Sequence, residues 1–168
     1  METALNDNIG NEYGSPMDVL AALFDARGWA LDTHADEELG GEVQGAWVKY
    51  QVRAVLKPED SVLQLICLPD IRVGKDRLAS AYELLGLVNE QVWLGHFDVW
   101  SQGGVLVYRH GALLADDGML SVSQAQALIE NAVEECDRFY PAFQFVLWGN
   151  KEPAEALEAA MIDAAGEA

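Results

Sequence analysis

Residues 46–57, "AWVKYQVRAVLK", alternate in character along almost their whole length. Val48, Tyr50, Val52, Ala54 and Leu56 fall on one side. Trp47, Lys49, Gln51, Arg53, Val55 and Lys57 fall on the other. Successive side chains of a strand point to opposite faces, so the spacing is that of a strand with one core face and one wet face. Strands of this kind belong to antiparallel sheets covered on one side.

Upstream, "SPMDVLAALFDARG" (15–28) carries helix punctuation: Ser15 as cap, Pro16 at the first position, Asp18 near the positive end and Gly28 as stop. "WALDTHA" (29–35) and "ELGGEVQG" (38–45) read as short strands. Downstream, "SVLQLICLPDI" (61–71) is apolar on both parities and reads as a more central strand. In "GKDRLASAYELLGLVNEQVWLG" (74–95) a broad apolar arc predicts a largely buried helix, with Gly86 allowing close packing. "GHFDVWSQGGVLVYRH" (95–110) reads as a hairpin turning at Gly103–Gly104, which sets Asp98 opposite Arg109. "SVSQAQALIENAVEECDRFY" (121–140) is helical, and Pro141 predicts a kink or restart. A short helix from Pro153 closes the chain. The expected fold class is α+β: a mainly antiparallel sheet with helices packed on one face, in the order α-β-β-β(-β)-α-β-β-α. Residues 1–14 are expected to be a disordered tail and 15–168 a single domain.

Charge bounds the partners. The chain of 168 residues carries a net −18. This argues against nucleic acid, which needs basic surface for counterion release, and against anionic membranes. No stretch approaches the roughly 18 apolar residues of a spanning helix, and no secretory signal pattern opens the sequence, so a cytoplasmic location is expected. Six of the ten basic residues lie between positions 49 and 77. Cys67 and Cys136 have no metal-ligand spacing and read as small buried hydrophobes.

Two candidate sites stand out. His96, Asp98, Trp100 and Arg109 share one face of the hairpin, either as a binding site for an anionic small molecule or as a structural network. Trp47, Lys49, Arg53 and Lys57 share the wet face of the strand at 46–57. They would form a docking patch for a protein partner, unless the chain's own tail covers them. No nucleophile motif, phosphate loop, dinucleotide fingerprint or metal-ligand spacing is present, so neither an enzyme nor a cofactor or metal is expected. His34, His96 and His110 are scattered, and "THADEE" (33–38) lacks the calcium-loop pattern.

The stretches "ELLGLVNEQVWLGHFDVW" (83–100) and "CDRFYPAFQFVLWGNKEPAEAL" (136–157), with the element order, resemble the YbjN family of bacterial proteins. The resemblance spans about residues 16 to 165. It implies a fold similar to type III secretion chaperones, a homodimer, and a role in sensory transduction through binding or regulating other proteins. It implies no catalytic residues.

Overall fold

The computed structural model describes residues 14–166. The tail expected at 1–14 therefore lies outside the described residues, apart from Gly14. The chain runs α1 (Pro16–Arg27), β1 (Ala30–His34), β2 (Glu38–Gln44), β3 (Lys49–Lys57), β4 (Val62–Leu68), α2 (Leu78–Asn89), β5 (His96–Trp100), β6 (Val105–Leu113), α3 (Val122–Leu147) and α4 (Pro153–Gly166). Six strands form one sheet in the order β1-β2-β3-β4-β6-β5, and every pairing is antiparallel. The mixed helix and antiparallel-sheet class read from the sequence is the one found.

The alternation in β3 positions the layers. Tyr50, Val52 and Ala54 are fully buried, while Lys49, Val55 and Lys57 are exposed. The register extends the inner face to Leu39 and Val43 of β2 and to Leu63, Leu65 and Cys67 of β4. It continues through Leu106 and Tyr108 of β6 to Phe97 and Val99 of β5. These pack in one core with Leu20 and Phe24 of α1, Leu84 and Val88 of α2, and Ile129, Phe139 and Phe143 of α3. Phe97 lies edge-on to Tyr108 and Phe139, with ring centroids 5.3 and 5.8 Å apart.

Helix ends follow the local chemistry. The Ser15 hydroxyl accepts from the Asp18 N–H at 3.2 Å, and Gly28 closes α1 in the left-handed region. Ser121 and Gln124 form a reciprocal capping box at the start of α3.

Four readings are corrected. β4 is central, but its outer residues are only half-buried, so it too has one covered face. Helix α2 ends at Asn89; Trp93 beyond it is 94% exposed, and Gly86 is exposed with nothing within 4 Å of a would-be Cβ. Helix α3 runs unbroken through Pro141. The hairpin turns through four residues, 101–104, so Arg109 faces His96 and Asp98 faces Val107.

Candidate functional site

The face of the sheet away from the helices carries all but one of the sequence-selected residues. Lys49, Arg53 and Lys57 lie on β3, His96, Asp98 and Trp100 on edge strand β5, and Arg109 on β6. One cross-strand row joins the two sets: Gly40, Arg53, Ile66, Arg109 and His96 are successive partners.

Trp47 does not share this face. It sits in the turn between β2 and β3, and its indole N–H donates to the Asp137 carbonyl of α3 at 2.9 Å. The same aspartate holds the whole turn. Its two carboxylate oxygens accept from the Ala46 N–H at 2.9 and 3.0 Å, and one also accepts from the Tyr50 hydroxyl at 2.6 Å. Burial, then the Asp137 bond, holds the Tyr50 phenol far above its ordinary value. Trp47 is still half exposed, beside a cleft of about 290 Å³ that Pro141, Arg138 and Asp163 also line.

The three lysine and arginine side chains of β3 are each met by a carboxylate. Arg53 lies 3.0 Å from Glu38 and Lys49 3.9 Å from Glu42, both across the β2 pairing, and Lys57 pairs with Asp60 in the following turn. The stripe is thus locally neutralised, and these half-exposed pairs contribute little stability each.

Arg109 differs. No carboxylate lies within ion-pair distance of it among the described residues, and its Nε is buried without a hydrogen-bond partner. The expected Asp98–Arg109 pair is absent because the register places His96 opposite Arg109. Asp98 instead accepts from the Val99 N–H at 2.8 Å. Around Arg109 the outer face is apolar: Ile66 and Leu68 are half-buried, Val107 is fully buried, Trp100 is 38% exposed and Leu113 is 80% exposed.

Sequence reasoning missed Asn89. Its side chain accepts from the Phe97 N–H at 2.8 Å and donates to the Phe97 carbonyl at 3.0 Å. This amide takes the place of a neighbouring strand along the outer edge of β5. Asp137 was missed as well, though a signal existed. Pro141 deprives the carbonyl four residues back, that of Asp137, of its helical donor.

The core holds other polar chemistry. The Tyr108 hydroxyl donates to the Leu94 carbonyl and accepts from Asn131 at 2.8 Å. Cys67 and Cys136 are free and buried, and burial pushes the Cys136 thiol well up. Among the described residues, no group of three or more His, Cys, Asp or Glu side chains is arranged to hold a metal ion, and no helix is long and apolar enough to cross a membrane.

Taken together, these features define an α+β sandwich whose second sheet face is bare among the described residues, with a neutralised charged half on β2–β3 and a more apolar half on β4–β6–β5. The chain belongs to the YbjN family, whose model, described as "Putative bacterial sensory transduction regulator", matches residues 16–145. Among solved structures it is similar to the ExsC–ExsE complex, at 19% identity and a TM-score of 0.53, covering 80% of this chain and 92% of that one. That likeness is one of fold, and it agrees with the type III secretion chaperone-like architecture. No curated protein matches the chain.

Proposed function

We propose that this chain is a non-enzymatic protein-binding module of bacterial sensory regulation, chaperone- or adaptor-like, acting in the cytoplasm as a homodimer. One observation carries the reading: among the described residues nothing packs over the outer sheet face, and its β4–β6–β5 half presents Ile66, Leu68 and Trp100 as partly exposed apolar side chains. An extended apolar patch left open by the chain's own helices is the usual mark of a surface that another protein occupies. Fold similarity to the ExsC–ExsE complex, an assembly of two proteins, supports the same reading. The net charge of −18 makes nucleic acid the wrong partner.

A photo-crosslinking residue placed at Ile66 in cells that naturally express the chain tests this. Discrete protein adducts are expected at Ile66 and not at Glu158, which is exposed on α4. Equal adducts from both positions, or none from Ile66, would sink the proposal.

A further inference from the structure

We infer that Arg109 and the notch at Gly111 form an anchor for a single carboxylate, carried by an extended partner segment whose flanking side chains are apolar. The inference rests on the docking role proposed for the outer sheet face and names what the partner brings to it.

Three observations converge. First, among the described residues Arg109 is the unmatched cation of strands β3 to β6; Arg72, bridged to Val105 at the rim of the face, has no carboxylate beside it either, and its guanidinium lies 3.5 Å from the Gly103 carbonyl. Lys49, Arg53 and Lys57 each have a carboxylate of this chain beside them, and Arg109 has none among the described residues. Its Nε is buried without a partner, in a chain with 28 acidic residues to supply one. A guanidinium presents a planar fork of donors suited to a carboxylate, and an orphaned donor in such a fork is where an outside acceptor gains most.

Second, there is room. Gly111 lies two residues on from Arg109 in β6, on the same face and opposite Gln64. A Cβ built there would meet nothing within 4 Å. A glycine inside a strand weakens the strand and marks a place where another backbone approaches closely. The notch gives a neighbouring segment access to the guanidinium from the open side.

Third, the surroundings specify the rest of the segment. Ile66 lies across from Arg109 on β4, and His96 lies across on β5 and offers a second donor. Val62 and Leu113 are paired two residues beyond the notch, and the half-buried Leu68, two residues on from Ile66, lies on the other side of the cation. The apolar positions flank the cation on both sides. One free guanidinium matches one carboxylate. A run of acidic residues would find no further lysine or arginine on β4, β5 or β6, only Arg72 at the rim beside Val105, and would meet the field of a −18 chain.

The probe is a random peptide library displayed on phage and selected against the full chain. Enriched peptides are expected to share one Asp or Glu between apolar residues. Their affinity should fall about tenfold or more with Arg109→Gln, the loss of one charge-assisted contact. Gly111→Val, which fills the notch with a residue that favours strands, should give a similar loss. Lys151→Gln, a cation change outside the sheet, should leave binding unchanged. Ile66→Asp separates the two levels. Peptides lost with Ile66→Asp but indifferent to both Arg109→Gln and Gly111→Val overturn the anchor and leave the docking face standing. Peptides indifferent to all three overturn both. Enriched peptides without a carboxylate also overturn the anchor.

Discussion

Pro141 sits inside α3 with no N–H to offer the carbonyl of Asp137, and the indole of Trp47 donates there instead. Pro141 and Trp47 compensate each other through the Asp137 carbonyl, 90 positions along the sequence from Trp47, which accounts for the unbroken helix and for the location of Trp47 off the sheet face. Trp47→Phe removes the donor and should cost about 1 kcal/mol in chemical denaturation. In a Pro141→Ala background the helix supplies its own N–H, and the same substitution should cost clearly less. An unchanged cost in that background would refute the pairing. His110 makes a second case at this scale. Burial holds its imidazole below the usual 6.5, and its Nδ1 is buried without a partner. The unfolded chain therefore takes up the proton more readily. The favourable state is fully present above about pH 6.5 and is lost as pH falls toward the folded value. The melting temperature should drop between about pH 7 and pH 5, with His110→Gln losing part of the drop. An identical drop in the variant would place the cause elsewhere.

At the level of elements, alternation was the most legible signal. It assigned Tyr50, Val52 and Ala54 to the core and Lys49 and Lys57 to the outside without any knowledge of neighbours. The β5–β6 hairpin shows what alternation cannot settle. A two-residue turn at Gly103–Gly104 keeps His96, Asp98, Trp100 and Arg109 on one face, as observed, but pairs them wrongly, because a shift of two residues preserves faces and changes partners. The turn is held open by a distant segment. The Val73 N–H donates to the Gly104 carbonyl at 2.7 Å, and Arg72 pairs with Val105. Such a contact is absent from any local reading of residues 95–110. Gly104 has φ 61°, and a Cβ there would stand 2.3 Å from the Val73 carbonyl oxygen. Gly104→Ala should therefore cost on the order of 2 kcal/mol or more in a denaturant titration. A loss below about 0.5 kcal/mol, ordinary for a surface site, would show that the turn yields easily.

For the whole molecule, the order of elements was enough for the fold class, while charge count and apolar content set only expectations about partners. The candidate site was only half legible. The residues of the bare face could be read from parity, but not which cations were already matched. That depends on β2 lying beside β3, where it brings Glu38 and Glu42 to Arg53 and Lys49. The same topology gives the sheet two unlike borders. At β5, the outward N–H of Phe97 is taken by Asn89 and that of Val99 by Asp98, while β1 forms the other border. A sheet able to recruit strands at both borders can polymerise without limit. Among the described residues, one sealed at β5 leaves β1 as the border for joining another copy, and β1 meeting β1 about a two-fold axis uses up that border of both. Growth by this route stops at two copies. Asn89→Ala removes half of the seal, and the variant should form larger, concentration-dependent species in light scattering where the parent chain does not. Unchanged scattering would mean that Asn89 fastens β5 without guarding it.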